Sequence, residues 1–283
     1  MTQAPLDIDH LRQWIGRTEE AEDTVSPRLV AGYLAVLDDP QPHRALGDLA
    51  PLAIHWCLAP ETRPMSQLGL DGHPKRGGLL PPVPLPHRMW AGGKIDLAGR
   101  FTVGDVITRH STVQDVTVKT GRSGTLCFVA VDHAFHGPQG LILTERHDIV
   151  YRAARDPNAP PPMIPQAPVG RWSYSVMADP VLLFRYSALT FNGHRIHYDR
   201  NHAITSEGYS GLVVHGPLQA TMMLEFAAKL RSTPPATFTF RGISPLMDGA
   251  AFTVNADETP QGLHLWTAAA DGRLCMEAQA VWA

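Results

Sequence analysis

The stretch "GKIDLAGRFTVGDVITRHSTVQDVTVKT", residues 93–120, decides the fold class. It is rich in Val, Ile and Thr and partly alternates apolar with polar residues, a pattern typical of β-strands. Two segments of the same texture follow, "GTLCFVAVDHAFHG" at 124–137 and "GLILTERHDIVYR" at 140–152, and glycines bound each of them. Strand-like segments separated by short glycine-containing turns predict successive antiparallel strands.

The C-terminal half places a helix before a similar set of strands. In "HGPLQATMMLEFAAKLR", residues 215–231, the apolar residues Leu218, Met222 and Phe226 recur near the helical period. Pro217 stands in the first turn, where a helix tolerates proline. Strand-like segments then follow at 236–247, 250–258, 263–271 and 273–283.

The N-terminal region is predicted to be helical before the strands begin. Residues 7–20 fit an amphipathic helix that Asp7 or Asp9 could cap, and residues 25–39 fit a second helix. The prolines and glycines of residues 58–88 make a regular element improbable, so this segment is predicted to be a long loop.

The two halves of the chain show signs of an internal repeat. "FTVGDVITRHSTV" at 101–113 and "SPLMDGAAFTVNA" at 244–256 both place an acidic residue and glycine before a strand. Such similarities occur in the same order in both halves, which favours an α+β fold of two copies of one unit, a helix packed on an antiparallel sheet. The proline-rich residues 155–170 are predicted to link an N-terminal unit, 1–154, to a C-terminal unit, 171–283.

Composition narrows the class of protein. The chain has 283 residues, 44% of them hydrophobic and 18% charged, with a net charge of −3. These values are typical of a globular protein and favour neither a nucleic-acid nor a membrane partner. The cysteines Cys57, Cys127 and Cys275 are odd in number and far apart in the sequence, which indicates reduced thiols. Because the N-terminus also lacks the pattern of a secretory signal, a cytoplasmic location is expected.

One polar segment stands out as a candidate site. "FNGHRIHYDRNHA", residues 191–203, contains His194, His197, Asp199 and His202. All four are metal-ligand types, but the His-x-x-His spacing has no second ligand cluster and no Cys pair nearby, which disfavours a metal. Taken singly, His194 and His202 are interpreted as structural residues that cap turns or bond to the backbone. The alternative that remains is an acid–base site.

An acid–base site needs a titratable group and a donor that polarises the substrate. Histidine supplies the first, because its pKa lies near neutrality. "VVHGPLQA", residues 213–220, offers the second, since the N–H of Gly216 would point outward at the positive end of the predicted helix. Such a donor suits a carbonyl oxygen that gains negative charge.

These motifs resemble a known family. "FNGHRIHYD" followed by "HGPL" resembles the catalytic motif of the MaoC-like hot-dog hydratases and dehydratases, and "HRMWAGG" at 87–93 is similar to the type 2 hydroxyacyl-thioester dehydratases among them. The resemblance covers most of residues 27–283 and implies a double hot-dog. It also implies that the N-terminal copy is degenerate and has lost catalysis, with its long loop making room for the substrate.

The resemblance assigns roles to particular residues. It places the family's catalytic histidine at His197 and its oxyanion-hole glycine at Gly216. The family's catalytic aspartate falls on Asn192, which cannot act as an acid or base but can hydrogen-bond and orient water. Asp199 matches a second acidic position of the family's motif. A supporting role in the loop is at least as well favoured for it as a role in the chemistry.

The reaction that the resemblance implies is reversible hydration of a 2-enoyl-CoA, so the chain is expected to be a hydro-lyase. The implied substrates are short branched dicarboxylic thioesters such as mesaconyl-C4-CoA or itaconyl-CoA. A second carboxylate would need a cation, and Arg88, Arg195 and His194 are candidates, with His215 as a further substrate-binding residue. Neither a metal nor an organic cofactor is expected beyond the CoA of the substrate.

Two other functions stay open from the sequence. A hot-dog thioesterase would use a carboxylate or a serine on the central helix. Glu225 is on that helix, but it stands about two and a half turns from the helix start, too far along for this role. A non-catalytic acyl-CoA-binding protein would bind the thioester without turnover. Because the two hot-dog units can pair within one chain, both a monomer and a homodimer are compatible with the sequence.

Overall fold

The computed structural model describes residues 6–121, 124–153 and 163–283, and their strands form one antiparallel sheet. The ten strands are β1 (Thr18–Thr24), β2 (His87–Leu97), β3 (Val106–Gly121), β4 (Gly124–Gly137), β5 (Gly140–Arg152), β6 (Trp172–Met177), β7 (Thr237–Gly242), β8 (Ala251–Thr259), β9 (Gly262–Ala268) and β10 (Leu274–Val281). Every strand segment predicted from the sequence is present.

The order of the strands shows that the two halves share one plan. The sheet runs β1-β3-β4-β5-β2 and continues β7-β10-β9-β8-β6. From its outer edge inward, each half therefore contributes its first, third, fourth, fifth and second strand, in the same order. The halves meet where β2 pairs with β7, for example Gly93 opposite Phe240. The α+β prediction of two similar units is confirmed.

The helices are α1 (Ile8–Arg12), α2 (Pro27–Val36), α3 (Pro180–Leu189), α4 (Arg200–Thr205) and α5 (Gly216–Arg231). The predicted helices at 25–39 and 215–231 are confirmed. The predicted helix at 7–20 is wrong beyond Arg12, because Thr18–Thr24 is a strand that pairs with β3. The segment "TEEAEDT" alternates exposed and half-buried side chains, as an edge strand does.

Helices α2 and α3 begin in the same way in the two halves. Ser26 caps α2 by accepting a hydrogen bond from the N–H of Leu29 at 3.2 Å. Asp179 caps α3 by accepting one from Val181 at 2.6 Å. Each helix has a proline in its first turn, which pre-sets the backbone for a helix start. The end of α3 leads directly into the polar segment 191–203.

Helix α5 is the central helix of the C-terminal half and packs against β7, β8, β9 and β10. Its buried side chains join those of α2 in one hydrophobic core that spans both halves. Tyr33 of α2 is fully buried, donates a hydrogen bond to Leu52 O at 3.0 Å and lies 3.2 Å from Thr221 Oγ1 of α5. Burial of this core fixes the start of α5 against the sheet.

Three further predictions can be compared with the described residues. Cys57, Cys127 and Cys275 are buried free thiols, as predicted. None of the described helices has the length and apolar character needed to cross a membrane. Half of the predicted linker at 155–170 falls on residues 154–162, which lie outside the described residues, so the division into 1–154 and 171–283 stays a prediction.

Candidate active site

The polar segment forms a tight loop between α3 and α4. The N–H of Asn192 donates to Ser187 O at 2.9 Å, which ties the loop to the last turn of α3. The Asn192 side-chain oxygen then accepts a hydrogen bond from the N–H of His194 at 2.9 Å. The amide nitrogen of Asn192 is thereby left as the donor that can face a water molecule.

His197 lies in this loop with one ring nitrogen committed to the backbone. Its Nδ1 lies 2.7 Å from Val213 O, and a carbonyl oxygen can only accept, so Nδ1 carries the proton. The lone pair is therefore on Nε2. Burial lowers the pKa of His197 to about 4, which keeps the ring neutral near pH 7. A neutral imidazole with a basic Nε2 is suited to take a proton from water.

The ring of His215 packs against the ring of His197. The two rings are stacked, with centroids 3.6 Å apart and an interplanar angle of 17°. His215 Nε2 lies 2.8 Å from Ser187 Oγ, and the residue is 0% exposed. Direct contact with substrate was predicted for His215 from the sequence, but full burial places its ring in the wall of the site, where it orients His197.

Gly216 begins α5 immediately after His215. Its N–H donates to no backbone carbonyl among the described residues, as expected for the first residue of a helix. A Cβ at this position would lie 3.2 Å from Trp90 Cε3 and 3.5 Å from Met276 Cε. Glycine thus lets the Trp90 ring lie against the helix start. Because His215 stacks on His197, the Gly216 donor and the His197 base belong to one site.

Asp199 and Arg195 hold the loop together. Asp199 Oδ1 accepts a hydrogen bond from the N–H of His202 at 2.9 Å and so caps α4. Its Oδ2 forms an ion pair with Arg195 Nη2 at 2.7 Å. Arg195 Nη1 also donates to Leu70 O at 3.0 Å. These contacts favour the supporting role for Asp199, and they already engage the Arg195 guanidinium that was predicted to bind substrate.

A loop of the N-terminal half, residues 68–75, completes the site; it is part of the predicted long loop 58–88, but none of its residues was predicted to belong to the site. The N–H of Arg195 donates to Asp71 O at 2.9 Å, and a Cβ on Gly72 would overlap the carbonyl of Gly193. The ring of His73 lies 4.1 Å from that of His194, centroid to centroid. More than 100 residues separate the two loops in the chain, so no local pattern reveals the contact. The only signal was "DGHP" at 71–74, an aspartate and a histidine inside a proline-rich loop.

Arg88 adds an unpaired positive charge to the site. It lies on β2 opposite Tyr151 of β5 and is half-buried. Burial is the largest cause that lowers the pKa of His73 and of His147, and the charge of Arg88 lowers both pKa values further. Within the described residues no carboxylate lies within ion-pair distance of its guanidinium. A half-buried guanidinium that has no carboxylate partner among the described residues is suited to an anionic group of a ligand.

Glu225, the carboxylate considered for a thioesterase, lies away from this site. It is nine residues after Gly216 on α5, which is about 14 Å along the helix axis. Its Oε1 accepts a hydrogen bond from the N–H of Leu52 at 2.8 Å. It lines a separate cavity of about 290 Å³ together with Leu34 and Arg100. Glu225 therefore cannot reach the groups around His197.

Comparison with protein families gives one clear match. Residues 53–248 match the model of the family described as hydroxyacyl-thioester dehydratase type 2. The match extends from the N-terminal half to the strand after α5 and includes every candidate site residue described above.

Comparison with individual proteins agrees with the family match. The chain is 40% identical over 266 residues to mesaconyl-C(4)-CoA hydratase of Chloroflexus aurantiacus, with 94% of this chain and 95% of that protein covered. A MaoC-like dehydratase structure from Phytophthora capsici has a TM-score of 0.70 at 14% identity and covers 98% of this chain and 99% of its own. A Mycobacterium tuberculosis protein described as having a double hotdog fold has a TM-score of 0.56 at 14% identity, covering 94% and 96%. The two structures share the double hot-dog fold with this chain.

Proposed function

The chain belongs to the hydroxyacyl-thioester dehydratase type 2 family and is a hydro-lyase, and we propose that it reversibly hydrates a 2-enoyl-CoA whose acyl group carries a second carboxylate. The observation that carries the proposal is the pairing of a neutral His197, basic at Nε2, with the free N–H of Gly216 at the start of α5. The similarity to a mesaconyl-C(4)-CoA hydratase supports a short branched dicarboxylic substrate of the mesaconyl-C4 or itaconyl kind.

In the proposed hydration, His197 Nε2 takes a proton from a water molecule that the Asn192 amide orients. The water oxygen forms a bond to C3 of the acyl group, and the electron pair of the C2=C3 bond moves toward the thioester oxygen. The Gly216 N–H stabilises the enolate charge on that oxygen, assisted by the positive end of α5. A proton on C2 then completes the 3-hydroxyacyl-CoA.

Arg88 is the proposed partner of the second carboxylate. The other two candidates are less suited, because Arg195 is ion-paired with Asp199 and burial lowers the pKa of His194 so that its ring is neutral. A guanidinium can bind a carboxylate through two parallel hydrogen bonds. Arg88 would therefore select dicarboxylic over monocarboxylic thioesters.

The remaining parts of the proposal follow the sequence predictions. Catalysis would need no metal and no organic cofactor beyond the CoA of the substrate, because His197, Asn192 and Gly216 supply a base, an orienting amide and an oxyanion donor. A cytoplasmic location is proposed from the three buried free thiols. A homodimer also stays a prediction, and light scattering of the purified chain would measure its mass in solution.

The proposal is tested by incubating the protein with mesaconyl-C4-CoA, itaconyl-CoA and the monocarboxylic crotonyl-CoA. We expect loss of the carbon–carbon double bond of the acyl group without release of CoA thiol, and preference for the dicarboxylic substrates. Arg88→Gln should lower kcat/KM for the dicarboxylic substrates by about 30- to 1000-fold, since leaving one partner of a buried charge pair alone costs roughly 2–4 kcal/mol. The same variant should leave crotonyl-CoA nearly unaffected.

Arg146→Gln is the matched control, because Arg146 is on the neighbouring strand β5 and pairs with Asp148 at the surface. Stoichiometric release of thiol would instead indicate a thioesterase, and binding without turnover would indicate a non-catalytic acyl-CoA-binding protein. Equal losses by Arg88→Gln on all three substrates would refute the assigned partner of the second carboxylate.

A further inference from the structure

The loop 68–75 brings a second histidine and a carboxylate into the active site. His73 Nδ1 lies 2.9 Å from Asp71 Oδ2, and the His73 N–H donates to Asp71 Oδ1 at 3.1 Å. The loop is fixed to the catalytic loop by the bond from Arg195 N to Asp71 O and by the close approach of Gly72 to Gly193. The pair is therefore a built part of the site, although it comes from the half of the chain that the sequence predicted to have lost catalysis.

The chemistry of this pair is that of an acid–base group. A carboxylate accepts, so His73 Nδ1 carries the proton and Nε2 carries the lone pair. Burial opposes ionisation of Asp71, but the hydrogen bonds and charge of His73 outweigh it and hold the pKa of that carboxyl well below its usual range. An ionised carboxylate on Nδ1 fixes the tautomer of an imidazole and stabilises the imidazolium that forms when Nε2 gains a proton. His197 has only a neutral carbonyl in that position.

Position 192 leaves one role in the reaction unfilled. Hydration needs a group that removes a proton from water and a proton that arrives at C2, and Asn192 can supply neither. We propose that His73, oriented by Asp71, is a second catalytic acid–base residue that transfers the proton at C2. This inference rests on the proposed hydratase function and adds a residue to it.

The proton steps balance over one cycle. In hydration, His197 Nε2 takes a proton from water as the O–C3 bond forms and the π electrons move to the thioester oxygen. The proton that His197 has taken passes to His73 Nε2. The enolate then collapses, a new C2–H bond forms with that proton, and His73 Nε2 regains its lone pair. His194 lies between the two rings, with centroids 4.1 Å from His73 and 5.4 Å from His197, and one water beside it would bridge that gap.

The same cluster could be considered as a metal site, since Asp71, His73 and His194 each offer an atom within 4.8 Å of the others. The surrounding charge argues against a cation. Burial is the largest cause that lowers the pKa of His73 and of His194; the guanidinium of Arg88 adds to this effect on both rings, and that of Arg76 adds to it on His73. In addition, Asp71 and His73 are already bonded to each other, and a metal would have to break that bond.

The charges that face His73 also connect proton transfer to substrate binding. Asp71 faces it from its own loop, Arg76 from just after that loop, Arg88 from β2, and His194 and His197 from the catalytic loop. Burial and the charge of Arg88 are the main causes that keep the pKa of His73 low, at about 4. A substrate carboxylate paired with Arg88 would offset that charge, so His73 would hold its proton more readily in the substrate complex.

The test separates the proton at C2 from the attack of water. In D2O, the wild-type protein should exchange the C2 hydrogens of succinyl-CoA, a saturated dicarboxylic thioester that cannot undergo hydration. His73→Gln should abolish this exchange and lower kcat for hydration by about 10²- to 10⁴-fold, with little change in KM. His197→Gln should retain the exchange while losing hydration. The exposed His10→Gln is the matched control and should leave both activities at the wild-type level.

A structural role for His73 would give different results. Imidazole added to His73→Ala should restore part of the hydration rate if the ring transfers a proton, whereas it would not restore a loop that fails to dock. Asp71→Asn should displace the pH profile of kcat because the carboxylate no longer stabilises the imidazolium. Equal melting temperatures of wild type and His73→Gln would show that the variant is folded.

The inference fails if folded His73→Gln hydrates at the wild-type kcat, or if a chelator inactivates the wild type and zinc restores it. Failure of the proposed function would look different, because the wild-type protein itself would then hydrate none of the 2-enoyl-CoA thioesters.

Discussion

Glu225 is a half-buried carboxyl group that the proposed chemistry does not use, and it should contribute strongly to the pH dependence of stability. Burial raises the pKa of Glu225 to about 7, against opposing effects of the Leu52 N–H and the charge of Arg100. A carboxyl group with a raised folded-state pKa contributes its full stability below its unfolded value of about 4.5, and that contribution is lost as pH rises through about 7. The difference of roughly 2.5 pH units corresponds to about 3 kcal/mol at pH 8.

Glu225→Gln tests this magnitude, because glutamine keeps an oxygen that can accept from Leu52 N–H but cannot ionise. With roughly 2.1 cal/mol/K of unfolding entropy per residue, 283 residues give about 0.6 kcal/mol/K. The variant should therefore melt about 5 °C higher than wild type at pH 8, and the two should converge below pH about 4.5. Differential scanning calorimetry between pH 4 and 8 measures this, with the exposed Glu22→Gln as control. A variant that is less stable than wild type at pH 8 would refute the reasoning.

Three further predictions concern the catalytic loop. Ser187→Ala should lower the free energy of unfolding by about 1–3 kcal/mol in urea titrations, because it leaves the buried His215 Nε2 without its partner. Gly72→Ala should reduce kcat far more than it reduces the melting temperature, because the residue has φ +89° and its new Cβ would overlap the carbonyl of Gly193. If the Gly72→Ala variant kept the wild-type kcat, catalysis would not need the loop 68–75 to dock on the loop 191–203. The hydration rate should be flat above pH about 5 and fall as pH drops through about 4, the pKa to which burial lowers His197. A hydration rate that falls to half its maximum near pH 6.5 would contradict the assignment of His197 as a base that stays neutral down to pH about 4.

The regular elements could be predicted where a local pattern determines them. Helix α5 follows from its apolar period and from Pro217 in its first turn, and β3 to β5 follow from Val, Ile and Thr between glycine turns. Helix α3 was not predicted as a helix, because its apolar residues are distributed all around the helix and define no single apolar face. Strand β1 was missed because its side chains are polar and its pairing with β3 alone makes it a strand.

The site was predictable only within one segment of the chain. The roles predicted for His197, Asn192 and Gly216 come from the family resemblance of two motifs that lie close together in the sequence. The stacking of His215 on His197 and the docking of Asp71 and His73 depend on tertiary contacts between distant segments. Such contacts follow from how the two halves pack, which neither periodicity nor spacing specifies.

The most direct measurement of the central claim is the rate of hydration of mesaconyl-C4-CoA by wild type and by His197→Gln, followed as loss of the enoyl thioester. We expect rapid hydration by wild type and a kcat lower by about 10²- to 10⁴-fold in the variant, with the fold retained. Hydration by folded His197→Gln at the wild-type rate would contradict the assignment of His197 as the base that activates water.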